Sequence, residues 1–66
     1  MGEKIREHLK KFREAAGLTQ KQLGAMAGKG ESAIQAYESG KSDIPLSALI
    51  SIMGALKISF ADLERG

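Results

Sequence analysis

Apolar residues along much of this chain return at intervals of three and four, the spacing of one helical face. Ile5, Leu9, Phe12 and Ala16 form a first stripe, while Lys4, Glu7, Lys10, Lys11 and Glu14 fall mainly on other faces. This predicts a helix over about 3–16, ended by Gly17, since glycine readily takes the left-handed conformation of a C-cap. Leu18 plugs the junction. Thr19 is a good N-cap, and Gln22 stands three residues on, in the spacing of a capping box. A second helix is therefore expected over about 19–27. Gly28-Lys29-Gly30 reads as a turn, followed by a third helix over about 31–39 that Gly40 stops. After a polar connection at 41–44, Pro45 suits the first turn of a fourth helix over about 45–56. Its stripe is Leu46, Leu49, Met53 and Leu56, with Ile50 and Ile52 beside it. Ser59, with Asp62 three residues on, caps a last short helix over about 60–64 that carries Phe60 and Leu63. The expectation is an all-α fold of five helices in one domain over 1–66, without repeats, low-complexity segments or linkers.

Residues 20–37, QKQLGAMAGKGESAIQAY, are the most informative stretch. If two short helices meet there across a tight turn, Leu23, Ala27, Ile34 and Tyr37 point to a common interior. Gly24 is small enough for the helices to approach closely, and Gly28 can take the left-handed conformation that ends the first of them. This is the pattern of a DNA-binding helix-turn-helix, whose second helix lies in the major groove. At about 100° per residue, Ile34, Tyr37 and Glu38 lie on one side of that helix, and Ser32, Gln35, Ala36 and Ser39 on the other. The second side is small and polar, so it fits a groove and offers donors and acceptors to base edges. Tyr37 shares a face with Ile34 and reads as core. Met26 and Met53 read as core fillers, and His8, off the first stripe, as a surface histidine.

Composition narrows the remaining classes. Sixty-six residues build a small core that dimerisation or efficient packing should support. There is no cysteine and a single histidine, so neither a disulfide framework nor a protein-only metal site is expected, and no cofactor is implied. The net charge of +2 and pI near 9.2 suit a nucleic-acid partner without defining one. The charged start MGEKIREHLKK is not a signal peptide, and no apolar run approaches the roughly 20 residues that span a bilayer. A soluble, cytoplasmic protein is the default. No nucleophile–base arrangement is present, and Gly28-Lys29-Gly30 is too short for a phosphate-cradling loop, so an enzyme is the weakest class.

Over nearly its whole length the chain resembles the Cro/repressor-type (XRE) family of bacterial and phage regulators. The resemblance implies a compact five-helix repressor-like domain, double-stranded DNA as partner, and roles at the matching positions. Base contacts would fall to Glu31, Ser32, Gln35 and Ala36. Gln35 suits an adenine edge, Ala36 a thymine methyl and Glu31 a cytosine N4. Gln20 matches the family's glutamine that anchors the DNA backbone, with Thr19 beside it at the positive end of the second helix. Lys41 and Ser42, with Ser39 near them, would hold phosphates on the opposite flank. Lys29 stands where the family usually places an apolar residue and is expected to reach a phosphate. Gly30 replaces the usual Ser or Thr cap at a small cost. Arg13 matches an arginine that pairs with a glutamate at the position of Glu38, fixing the recognition helix against the first helix.

Family members often dimerise through the C-terminal end, which implies an interface of Ile52, Ala55, Ile58, Phe60 and Leu63. Two recognition helices would then sit about 34 Å apart. The expected function is a sequence-specific transcriptional regulator, in the first place a repressor, that binds a palindromic operator as a homodimer. It would be encoded by a bacterium or phage and associated with the nucleoid. Phage repressors, restriction–modification controllers and antitoxins all remain open. So does a protein-interaction module of the same fold that acts through a protein partner.

Overall fold

The structure, a computed structural model, describes residues 3–66. Five helices follow in order: α1 (Glu3–Ala15), α2 (Gln20–Ala27), α3 (Glu31–Ser39), α4 (Leu46–Leu56) and α5 (Phe60–Arg65). Among the described residues there is no strand, and no helix is long and apolar enough to cross a membrane.

Local chemistry sets the helix ends. α1 closes on Gly17 (φ 73°), with the Gly17 N–H donating to Glu14 O and the Leu18 N–H to Arg13 O. Those bonds satisfy carbonyls that the last turn would otherwise leave unpaired. At the head of α2, Thr19 Oγ1 accepts from the Gln22 N–H at 3.0 Å while Gln22 Oε1 accepts from the Thr19 N–H at 2.8 Å. Ser59 and Asp62 repeat this reciprocal pair at α5. Pro45 is the N-cap of α4 and not its first helical residue, because its ψ of 150° is extended. α4 ends on Lys57 in a left-handed conformation (φ 58°).

Every helix contributes to one core. Leu9, Leu23, Ile34, Ala48, Leu49, Ile52, Met53 and Leu63 are buried together. Ile44 joins them at 5 % exposure, so the connection before α4 is anchored in the interior. Fully burying a side chain of this size stabilises by about 1.5–3 kcal/mol. α2 packs on both α3 and α4, and α1 on α3 and α5.

Three expectations are corrected here. Ile52 and Leu63, assigned to a two-fold interface, are 2 % and 1 % exposed. They fill this chain's own core and have no surface to offer a partner, and Ala55 and Ile58 are half-buried against the same core. Phe60 is the exception, at 53 % exposed. Met26 is no core filler: it is exposed on α2, as are Leu46 and Ile50 on α4. His8 is not a free surface group. It is half-buried, and its Nδ1 makes a 2.5 Å hydrogen bond with Leu63 O, tying α1 to α5. A carbonyl only accepts, so Nδ1 carries the proton.

Candidate nucleic-acid interface

The α2–α3 junction is built on backbone contact. Gly24 O accepts from the N–H groups of Lys29 (2.9 Å) and Gly30 (3.1 Å). A Cβ added at Gly24 would lie 2.4 Å from the carbonyl carbon of Gly30. The crossing of the two helices is thus set where only glycine fits. Gly28 turns the chain in the left-handed conformation (φ 69°). Gly30 has φ 88° and ψ 159°, a region open essentially to glycine alone. That overturns its reading as a tolerated stand-in for a Ser or Thr cap: the turn demands glycine, and α3 begins without a side-chain cap.

This junction presents α3 with one side inward. Ile34 is 1 % exposed in the core, and Tyr37 is half-buried against it. On the other side, Ser32, Gln35, Ala36, Ser39 and Lys41 line an open concavity of about 420 Å³. Ser32, Gln35, Ser39 and Lys41 are exposed, and Ala36 is half-buried. Glu31 is exposed in the first turn of α3.

The remaining candidates sit around this face with different degrees of freedom. Lys29 and Ser42 are exposed, and their backbone N–H groups donate to Gly24 O and Ala36 O. The Ser39 hydroxyl is engaged in the loop, donating to Ala36 O at 3.2 Å and accepting the Lys41 N–H at 3.4 Å. Thr19 Oγ1 is committed to capping α2.

Behind α3, Arg13 and Glu38 form a two-pronged ion pair. Arg13 Nε donates to Glu38 Oε2 at 2.7 Å, and Nη2 to Oε1 at 3.1 Å. Their side chains are 10 % and 6 % exposed. Arg13 Nη1 also donates to Leu18 O at 2.7 Å, so one guanidinium joins α1, the α1–α2 junction and α3. The hydrogen bond to Glu38 raises the already high Arg13 pKa, against the opposing effect of burial. The guanidinium therefore stays charged throughout the range in which proteins fold.

Sequence reasoning missed one member of the group. Gln20 Nε2 donates to Glu38 Oε1 at 3.0 Å, across eighteen residues of chain. Nothing in local spacing links the two positions. The one available signal was the inward placement of Glu38, which has to collect donors from whatever packs behind it.

The comparisons with known proteins agree with this geometry. A family model described as helix-turn-helix matches residues 9–63, and the chain belongs to that family, in its Cro/repressor (XRE) type. The structure is similar to the crystal structure of the restriction-modification controller protein C.AhdI from Aeromonas hydrophila. The TM-score is 0.85 and the identity 28 %, over 91 % of each chain. No curated protein matches the sequence. Family and fold are those of a DNA-binding transcription regulator and not of an enzyme.

Proposed function

We propose that this chain is a sequence-specific transcriptional regulator, acting as a repressor, that binds a palindromic operator as a homodimer with α3 in the major groove. The observation that carries the reading is the outward face of α3. Ser32, Gln35 and Ala36 form a shallow polar surface beside Lys41, with no bulky apolar group to keep a base edge away. Glu31, Ser32, Gln35 and Ala36 read bases. Thr19 and Gln20 at the head of α2 approach the DNA backbone on one flank, where free N–H groups and the helix dipole favour phosphate. Lys29, Lys41 and Ser42 serve further phosphates, with Ser39 shaping the loop that carries Lys41.

A second copy has exposed apolar residues to use at Phe60, Leu46 and Ile50. Two-fold symmetry would place the two α3 helices about one DNA turn apart, roughly 34 Å. Repression then needs only an operator that overlaps a promoter. The similarity to a controller protein supports a regulatory role on DNA.

Selection of bound sequences from a random duplex library tests this. A two-fold symmetric motif is the expected result. No enrichment at low salt would turn the search to a protein partner instead, because phosphate contacts alone should hold DNA most strongly there.

A further inference from the structure

We propose that Glu38 is a positioning residue for DNA binding: through its hydrogen bond it holds the Gln20 side-chain amide ready to grip one phosphate of the DNA backbone. This rests on the reading of the chain as a DNA-binding regulator.

A carboxylate on the half of α3 that faces the other helices is costly to desolvate, and Arg13 compensates the charge. Arg13 takes both oxygens. Oε1 nevertheless accepts a second donor, the Gln20 amide, at 3.0 Å. Gln20 is the first residue of α2, and the first intrahelical bond there runs from the Leu23 N–H to Thr19 O. The backbone N–H of Gln20 precedes that bond and has no partner within the helix. The amide nitrogen carries two hydrogens, of which Glu38 takes one. The second hydrogen, and the backbone N–H of the same residue, are left for an anion.

A free glutamine side chain must be ordered before it can bind. Immobilising such a group opposes association, and here that ordering is already made in the free protein. Glu38 contributes this although it is a negative charge on the recognition helix. Arg13, bonded to both carboxylate oxygens, compensates the charge where the amide would bring a phosphate near it.

The test is a double-mutant cycle on the full chain with a selected operator, each variant first checked for native helix content. Gln20→Ala in the native background should weaken binding about three- to tenfold, equally for operator and unrelated duplex. In the background Arg13→Met/Glu38→Leu, which replaces both ionic partners with apolar groups, Gln20→Ala should cost less than twofold. Equal losses in the two backgrounds would overturn the proposal, as would no loss in the native one. Absence of binding by the native protein at low salt would instead sink the DNA-binding reading itself.

Should the double replacement not fold, the native protein still decides. By nuclear magnetic resonance, the Gln20 side-chain amide should be as ordered as the backbone before DNA is added. An amide averaging like that of a solvent-exposed glutamine would overturn the proposal.

Discussion

Two residues show how backbone conformation and not side-chain chemistry decides a position. Gly24 lies in mid-helix, where alanine would normally gain about 1 kcal/mol in helix propensity. Its absent Cβ faces the Gly30 backbone at 2.4 Å, however, and a main chain cannot swing aside like a side-chain tip. Gly24→Ala should therefore lose about 2 kcal/mol net, lowering Tm by roughly 10 °C in a domain of this size; calorimetry checks this, and an unchanged Tm would mean that α2 and α3 can part without loss. Lys57 is the converse case, a residue with a side chain held at φ 58°. The left-handed conformation costs about 1–2 kcal/mol for such a residue, more than the extra freedom glycine adds to the unfolded chain. Lys57→Gly should stabilise by about 0.5–1 kcal/mol in urea titration, and destabilisation would point to a role for the lysine side chain.

At the scale of elements, caps and stripes were legible because they are local. Thr19 with Gln22, and Ser59 with Asp62, sit three apart and do what that spacing suggests. The all-helical class follows from the same periodicity. Tertiary placement was not legible in the same way: Ile44 looks like the end of a polar loop yet enters the core, and His8 lies off the stripe of α1 yet is held by α5. The helix α5 also has its own response to acid. Hydrogen bonds from Ser59, backbone first, and the nearby Arg65 hold the Asp62 carboxylate below its ordinary value of 3.8. A depressed carboxylate adds stability above its ordinary value and loses it as pH falls through the lowered one. Below pH 3.8 the cap of α5 should loosen progressively, seen as movement of the Ser59 amide resonance. Movement that is complete above that pH would assign the effect to another group.

For the molecule as a whole, charge placement outweighs a net of only +2. Lys41→Ala should weaken binding to every DNA sequence alike and reduce the salt slope by about one; fluorescence anisotropy at several salt concentrations measures it, and an unchanged slope would place Lys41 off the DNA. Phe60→Glu should raise the dimer dissociation constant at least tenfold in sedimentation equilibrium without unfolding the chain, since Phe60 is 53 % exposed. A dimer that survives it would shift attention to Leu46 and Ile50 on α4. The outward face of α3 could be read from the periodicity around a helix, whereas the burial of Ile52 and Leu63 could not: they look alike in sequence whether they meet their own core or a second chain. One further consequence follows from the glycine contact between α2 and α3. The crossing of α3 on α2 is set by main chain, its tie to α1 by the inward Glu38, and of its residues Ile34 alone is buried in the core. The outward positions Ser32, Gln35 and Ala36 can then be exchanged without disturbing any of these. If those positions read bases as proposed, duplicated copies of such a gene could diverge to new targets by a few substitutions there, leaving foldability out of the trade.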